Sequence, residues 1–165
     1  PFVTILGDGP LALVMAQLMV RQNATVRVVG QSPRAVHLCE KWRVKHRLLD
    51  DVGLRHDQDV VVDCLGTPSG FSRVLQMVRP RGKVVIKRAS HVKDSSAAES
   101  IAEMLRSELQ VIGSWWGGIS DAVGVLNRRE VDVSELIESR TPLEELPKMI
   151  DHIMRTDALK VIVEV

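Results

Sequence analysis

The chain has 165 residues, of which 45% are hydrophobic and 26% charged, and its 22 basic and 21 acidic side chains leave a net charge of +1. This length supports one domain with its own core, and the composition excludes a disordered chain, a collagen and a coiled coil. The charge balance predicts no basic face for nucleic acid, and no apolar run reaches the ~20 residues of a membrane-spanning helix.

Cysteine usage and the first residues bear on the compartment. Two cysteines do not make a disulfide framework, and the N-terminus lacks the charged and small-residue segments of a signal peptide. We therefore expect a cytoplasmic protein.

The chain has no tyrosine, which excludes the Tyr-x-x-x-Lys acid/base pair of short-chain dehydrogenases. Because the chain begins at Pro1 and enters a strand at once, we expect a fragment or an incomplete N-terminus.

Strand and helix patterns alternate through the first two-thirds of the chain. Short apolar runs predict strands at residues 2–6, 25–29, 47–49, 60–62, 83–87 and 110–112. Helical spacing predicts one helix over residues 11–20 and a second that starts at Ser32-Pro33. Two further helices are predicted from apolar residues that share one face: Phe71, Val74, Leu75 and Val78 in the third, and Ala98, Ile101, Ala102 and Leu105 in the fourth. Pro80-Arg81-Gly82 predicts a turn. This alternation predicts an α/β fold, with a doubly wound, parallel, six-stranded sheet covered on both faces.

The last third of the chain is less regular. After Gly117-Gly118 the pattern predicts a helix with Ile119, Ala122, Val123 and Leu126 on one face, followed by a short strand at Leu136-Ile137. Thr141-Pro142 is expected to cap another helix, which carries Leu146, Ile150 and Ile153. A final strand is predicted over 160–165. We assign residues 1–116 to a dinucleotide-binding domain and 117–165 to a separate C-terminal segment. The last strand is apolar, and left unpaired its edge would template self-association.

The sharpest motif is a glycine loop, Gly7-x-Gly9-x-x-Ala12, between the first strand and the first helix. Gly7 permits a tight turn, Gly9 lets the backbone approach a pyrophosphate, and Ala12 allows close helix–strand packing. The helix N-terminus then presents unpaired N–H groups to the phosphates. The order of strand, loop, buried helix and second strand favours dinucleotide binding over an ordinary turn.

The end of the second strand carries no acid. NAD-binding domains usually place Asp or Glu there to accept hydrogen bonds from the ribose hydroxyls. Here Gly30, Gln31, Ser32 and Arg34 occur instead. Gly30 leaves volume for a 2′-phosphate, and Arg34 carries a planar, permanently charged group suited to phosphate. We therefore expect a preference for NADP(H) over NAD(H), with a solvent-facing turn as the alternative interpretation.

Several motifs together resemble a known family. Gly7-Asp8-Gly9-Pro10-Leu11-Ala12, the run from Val60 to Gly66, and the run from Val78 to Val85 resemble the coenzyme-binding half of medium-chain, zinc-type alcohol dehydrogenases. The closing Pro142-Leu143-Glu144-Glu145 and the run from Ala158 to Val163 resemble that family's C-terminal segment. The resemblance implies a Rossmann fold, a nicotinamide cofactor, an alcohol or carbonyl substrate, and a homodimer.

The resemblance also implies a set of cofactor contacts. Gly7, Gly9, Pro10 and Leu11 would line the pyrophosphate, and Gly30, Gln31, Ser32 and Arg34 would surround the adenosine ribose. Cys64, Leu65 and Gly66 would flank the adenine-side ribose and the bridge. Ile86, Lys87, Ser114 and Trp115 would approach the nicotinamide, and Lys160 would touch a phosphate. Residues 117–165 would return to the family's catalytic domain.

The chain departs from the family pattern where catalysis is concerned. A separate N-terminal domain supplies the family's zinc ligands and proton relay, and we expect that domain to be absent here. No Gly-His-Glu segment or Cys-x-x-Cys occurs, and the histidines lack metal-ligand spacing: His37, His46, His56, His91 and His152. We therefore expect no metal site and no catalytic residue in this chain, and no turnover by the fragment alone.

Three further residues have open interpretations. Cys39 lies on an apolar helical face and is expected in the core, whereas Cys64 ends a buried strand as a structural residue or a cofactor wall. Lys87-Arg88 is either a solvated edge or a contact for an anionic substrate or the cofactor carboxamide. Two other functions stay open: a non-catalytic nucleotide-sensing module and, ranked last, a methyltransferase. Both would usually carry an acid near Gly30.

Overall fold

Six parallel strands form the main sheet in the computed structural model, which describes residues 1–88, 97–156 and 158–165. They are β1 Phe2–Leu6, β2 Thr25–Gly30, β3 Lys45–Leu48, β4 Gln58–Asp63, β5 Val78–Ile86 and β6 Gln110–Gly113. Their order in space is β3-β2-β1-β4-β5-β6. The predicted doubly wound, parallel, six-stranded α/β sheet is confirmed.

The helices are α1 Pro10–Arg21, α2 Pro33–Lys41, α3 Pro68–Met77, α4 Ala97–Arg106, α5 Ile119–Asn127 and α6 Leu146–Arg155. Proline starts the first three because its missing N–H and fixed φ suit the first helical position. Two of these starts are capped: the Ser32 hydroxyl accepts from the Ala35 N–H, and the Thr67 hydroxyl from the Gly70 N–H.

The core lies on both faces of the central strands. Alternate residues of β1 point to opposite faces: Val3 and Ile5 pack with α1 and α2, whereas Leu6 packs with α3. Val28 and Val61, on the neighbouring strands, are fully buried. Burial on both faces explains why these strands read as continuous apolar runs rather than as alternating ones.

The strand order reverses direction between β1 and β4, which are hydrogen-bonded neighbours. The loop after β1 and the loop after β4 therefore leave the same edge of the sheet and diverge to opposite sides. In open parallel sheets this reversal point is where ligands bind, beyond the carboxyl ends of the strands.

The region around Pro80 differs from the prediction. The sequence pattern predicts Val78 on a helical face and residues 80–82 in a turn, but β5 runs through all of them. The register with β4 shifts here: Gln58 pairs with Val78 and Val60 with Lys83. Arg81 has a φ of +60°, so the turn residues form an irregularity inside the strand instead of ending it.

The C-terminal segment forms a second, smaller sheet. Strands β7 Ile137–Pro142 and β8 Lys160–Glu164 pair in parallel, joined by α6. The last strand, whose edge would template self-association if it were left unpaired, is therefore covered by β7 along one edge. Thr141-Pro142, expected to cap α6, ends β7 instead, and Leu136 lies in a 3-10 turn before that strand.

This second sheet packs against the first domain, close to α1. The Gln17 side chain holds Asp132 by two hydrogen bonds, from its amide to the Asp132 carbonyl at 3.0 Å and from the Asp132 N–H to its oxygen at 2.7 Å. Leu136 is buried in the same cluster as Leu13. The described residues include no helix long and apolar enough to cross a membrane.

Candidate functional site

The glycine loop begins at a residue that only glycine suits. Gly7 has a φ of +109°, a region that side chains rarely adopt, and a Cβ there would lie 3.3 Å from the Cβ of Cys64. Its N–H donates to the Val29 carbonyl at 2.8 Å. This bond ties the loop to the end of β2, so the turn is tight and the loops after β1, β2 and β4 meet.

Gly9 has a different reason to be small. Its backbone is extended, with φ −73° and ψ 178°, and a Cβ built on it would meet nothing within 4 Å. Gly9 is the N-cap of α1, and no side chain caps this helix start. The open space in front of Gly9 and the uncapped N–H groups behind it form a cradle that a pyrophosphate fits.

Asp8, between the two glycines, occupies the place expected to be empty. Its Oδ2 accepts from the Ser32 N–H at 2.8 Å and lies 3.5 Å from Nε2 of His46. A Cβ on Gly30 would fall 2.0 Å from Cγ of Asp8. The expectation that Gly30 leaves volume for a 2′-phosphate is therefore wrong, because the Asp8 carboxylate fills that volume.

The Arg34 side chain also has partners that the sequence does not predict. Its Nη1 lies 3.0 Å from Oε1 of Glu138, and its Nη2 donates to the Glu135 carbonyl at 3.3 Å. The guanidinium is thus bound to the C-terminal segment, whereas the sequence predicts that it would contact a phosphate of the cofactor. Gln31 is exposed, and Ser32 caps α2 with its hydroxyl while donating its N–H to Asp8.

The loop after β4 forms the other side of the reversal point. The buried Asp63 carboxylate accepts from the N–H groups of Leu65 at 2.9 Å and Gly66 at 3.0 Å. Gly66 has a φ of +69°, and a Cβ there would lie 2.8 Å from the Arg88 backbone. Burial raises the pKa of Asp63, and the two hydrogen bonds offset part of that rise.

Cys64 and Cys39 are free thiols with different surroundings. Cys64 is half-buried against Gly7, and burial, with a smaller contribution from Asp63, raises its pKa to about 11. Cys39 is fully buried in the core, as expected, and burial followed by the charge of Asp8 raises its pKa to about 12. Neither thiol is an activated nucleophile.

The expected nicotinamide end brings two residues together. Nζ of Lys87 donates to Oγ of Ser114 at 3.0 Å, and the Ser114 N–H donates to the Ile86 carbonyl at 2.9 Å. Trp115 follows, 69% exposed. A cavity of about 190 Å³ opens next to Ile86, although Lys87, Ser114 and Trp115 do not line it. Its lining residues are Asp63, Gly66, Thr67, Pro68, Phe71, Ile86 and Arg88.

Lys160, expected to touch a phosphate, lies near the start of α1. It begins β8 and shares a largely apolar cavity of about 370 Å³ with Pro10 and Leu11, at the start of α1. The second sheet thus places a cation from far along the chain in the same cavity as the first residues of α1. The sequence alone could suggest this only through the family resemblance.

The histidines do not gather at one point. Among residues 1–88, 97–156 and 158–165, no three His, Cys, Asp or Glu side chains come close enough to hold a metal ion. His46 lies behind Asp8 with a nearly buried ring. His91 lies outside the described residues, as does the side chain of Ala98.

Sequence reasoning missed Asp8 and His46 as site residues. Asp8 looks like a spacer between glycines, although an acid in this loop together with a glycine at the end of β2 is a recognisable combination. His46 has no local signal, because its role depends on β3 pairing beside β2, where His46 pairs with Val28.

Two solved structures that superpose on this chain are described as dehydrogenases. L-idonate 5-dehydrogenase of Escherichia coli K-12 MG1655 superposes with a TM-score of 0.87 at 19% identity, over 99% of this chain and 49% of that one. A zinc-binding dehydrogenase of Sinorhizobium meliloti 1021, bound to NADP, superposes with a TM-score of 0.82 at 23% identity, over 99% of this chain and 52% of that one. At these identities the likeness shows the fold.

Sequence comparison gives the family. Sorbitol dehydrogenase of Halalkalibacterium halodurans is 22% identical over 97% of this chain and 50% of its own length. The chain therefore spans about half the length of the relatives it matches. Residues 10–137, well over half of the chain, match the family model for zinc-binding dehydrogenases. On this match, the chain belongs to the zinc-binding dehydrogenase family, as its coenzyme-binding half.

Proposed function

We propose that this chain binds a nicotinamide dinucleotide within an oxidoreductase that transfers hydride between that cofactor and an alcohol or carbonyl substrate. One observation carries the proposal: the glycine loop combines a positive φ at Gly7 with open space at Gly9, at the reversal point of a parallel sheet. The NADP bound to the Sinorhizobium relative supports the cofactor class, and the family match favours a dehydrogenase over a nucleotide-sensing module.

The residues around the loop divide into groups along an extended ligand. Gly7, Gly9, Pro10 and Leu11 would hold the pyrophosphate against the start of α1, with Lys160 nearby as a cation. Cys64, Leu65 and Gly66 would form the wall between the two nucleotides. Ile86, Lys87, Ser114 and Trp115 would orient the nicotinamide end, where Lys87 and Ser114 are already joined.

The nicotinamide supplies the redox chemistry when it is bound. This chain would hold the ring at the edge of the sheet, with Phe71 and Ile86 giving an apolar wall to the adjoining cavity. The described residues gather no zinc-ligand set, so we assign zinc and the proton relay to protein outside this chain. The free cysteines fit a reducing, cytoplasmic location.

We retain the domain division expected from the sequence as part of this proposal. Residues 1–116 would form the cofactor unit, and residues 117–165 would connect it to a catalytic domain.

We also propose a homodimer, because β6 and β8 are outer strands whose second edges are unpaired within the described residues. Light scattering at micromolar concentration tests this; a monomer would contradict it.

The central experiment is a titration with NADH and NADPH by calorimetry. Gly9→Val should weaken binding at least about tenfold, or ~1.4 kcal/mol, because its side chain would enter the pyrophosphate cradle. The matched control is Gly117→Val, where an added Cβ also meets nothing within 4 Å. An unchanged affinity in Gly9→Val, with the thermal melt of both variants intact, would contradict the proposal.

A second measurement separates binding from turnover. We expect the chain alone, with or without added zinc, to reduce no NAD(P) across a panel of alcohols while still binding the cofactor. Metal-dependent turnover by this chain would overturn the assignment of zinc and the proton relay to protein outside it.

A further inference from the structure

The acid that lies at the end of β2 comes from a different loop of this chain. The end of β2 carries Gly30, but the space above that glycine is filled by the carboxylate of Asp8, from the loop after β1. A Cβ on Gly30 would lie 2.0 Å from Cγ and 2.1 Å from Oδ2 of Asp8. The carboxylate thus reaches the end of β2 from the neighbouring strand.

The Asp8 carboxylate is fixed at one oxygen and available at the other. Oδ2 accepts from the Ser32 N–H at 2.8 Å and faces Nε2 of His46 at 3.5 Å. Oδ1 receives no hydrogen bond from the residues that the structure describes. The side chain as a whole keeps 16% of its surface exposed, and Oδ1 is the oxygen left to accept from the paired hydroxyls of a ribose. A carboxylate held in this way is a strong, oriented acceptor.

Gly30 and Asp8 form a complementary pair. Any side chain at position 30 would displace the Asp8 carboxylate, because the overlap begins at the first carbon. The glycine is therefore explained by the room that Asp8 requires, and a vacant phosphate pocket is not needed to explain it.

The surroundings of Asp8 offer a 2′-phosphate little compensation. The guanidinium expected to serve it, that of Arg34, is held by Glu138 at 3.0 Å and by the Glu135 carbonyl. Releasing it would break these contacts and leave Glu138 unpaired. A carboxylate at the 2′ position also repels a phosphate directly. His46 and Cys39 are further ionisable groups close to Asp8: His46 faces Oδ2, and the charge of Asp8 acts on the Cys39 thiol.

We propose that Asp8 binds the adenosine ribose hydroxyls and makes this chain select NAD(H) over NADP(H), an inference that rests on the proposed function. This selectivity reverses the preference expected from Gly30 and Arg34 in the sequence. Asp8 acts as a specificity-determining residue, and Gly30 provides the space in which it lies.

The test titrates the full chain and its variants with NADH and NADPH, following heat or tryptophan quenching. The wild type should bind NADH at least about tenfold more tightly than NADPH. Asp8→Asn, which keeps the shape and removes the charge, should reduce this ratio to about threefold or less. The matched control is Asp121→Asn, the same change at an exposed position in α5, which should leave the ratio unaltered.

A double variant keeps the proposal falsifiable if single changes disturb the loop. Asp8→Ala with Gly30→Asp moves the acid to the end of β2 and removes the overlap, and it should restore the preference for NADH. Tighter NADPH binding by the wild type, equal affinities, or an unchanged ratio in Asp8→Asn would overturn the inference while leaving nicotinamide binding intact. Binding of neither cofactor would instead overturn the proposed function, and the inference with it.

Discussion

The half of the molecule around the glycine loop and the part after residue 97 differ in where their apolar side chains lie. In β1, β2 and β4, buried residues face helices on both sides, whereas in the described part after residue 97 only Val131 and Leu136 are buried hydrophobic residues. Ile5 is 0% exposed and Ile119 is 82% exposed. The first region is thus stabilised by its own core, and the second supplies surfaces and single contacts.

This difference explains how the candidate site is built. The glycine loop, Asp8 and Asp63 are held by strands that cannot shift without opening the core. Lys160, in contrast, belongs to β8, which pairs with β7 and follows a segment held to α1 by the hydrogen bonds between Gln17 and Asp132. A bound dinucleotide would therefore contact a rigid part of the protein at the glycine loop and a less firmly held part at Lys160.

The largest effect should come from truncating the same residue type in each region. Ile5→Ala should lower the free energy of unfolding by ~2–5 kcal/mol, because it leaves a cavity between β1 and α1. Ile119→Ala should change it by no more than ~0.5 kcal/mol. Urea denaturation measures both. Similar losses in the two variants would show that α5 is packed as tightly as β1.

The contact between the regions should give the next effect. Gln17→Ala removes both hydrogen bonds to Asp132 and leaves its backbone groups without a protein partner, which should cost ~1–3 kcal/mol locally. Hydrogen exchange should accelerate over residues 128–137, while β1 stays protected. Gln22→Ala, at the exposed end of α1, is the control. Unchanged exchange over 128–137 would mean that the other contacts of this segment, the buried Leu136 and the bonds of Arg34 and Lys41 to Glu135, hold it without Gln17.

A smaller effect concerns pH and the buried Asp63. Burial raises its pKa in the folded protein, so the folded state holds this proton more tightly than the unfolded chain does. The stabilisation from that proton is present below the unfolded pKa and is lost as the pH rises through the folded pKa. Asp63→Asn should therefore melt at a higher temperature than the wild type at pH 7.

The difference in melting temperature should shrink when the pH falls below the carboxyl range, because the wild-type side chain is then neutral as well. Calorimetric melts at pH 7 and pH 3.5 measure both values. A difference that grows on acidification would have the opposite sign to the one expected and would indicate that the ionised carboxylate stabilises the fold.

The smallest effect distinguishes two residues within the first region. With pKa values raised to about 12 for Cys39 and about 11 for Cys64, both thiols should react slowly with a disulfide reagent at pH 8. Cys64 should react first as the pH rises, because it is only half-buried. Mass spectrometry of the labelled chain identifies the site. Faster labelling of Cys39 would contradict its place in the core.

The sequence is sufficient to predict the main sheet because each central strand is buried on both faces and reads as a continuous apolar run. It is insufficient around residues 80–82, where Pro and Gly predict a turn but register with β4 keeps the chain in the sheet. The pairing of β7 with β8 also escapes prediction, because β7 contains Glu138, Ser139 and Arg140 and has little apolar signal.

For the candidate site, the sequence predicts the positions that depend on local backbone. The glycines at 7, 9 and 66 are such positions. It does not predict where Asp8 and Arg34 point, because each is directed by a partner from another element, Ser32 for Asp8 and Glu138 for Arg34. The assigned cofactor contacts stay predictions until binding is measured on the variants above.

The placement of the tryptophans gives each region its own optical reporter. Trp42 packs against the core of the first region, whereas Trp115 and Trp116 are 69% and 90% exposed. Emission from Trp42 should be shifted to the blue and protected from iodide, and emission from the exposed pair should be red-shifted and quenched. Loss of the two signals at different denaturant concentrations would resolve the regions without any label. Because the absorption of a reduced nicotinamide overlaps tryptophan emission, energy transfer from Trp115 would also report on the orientation in which the cofactor lies.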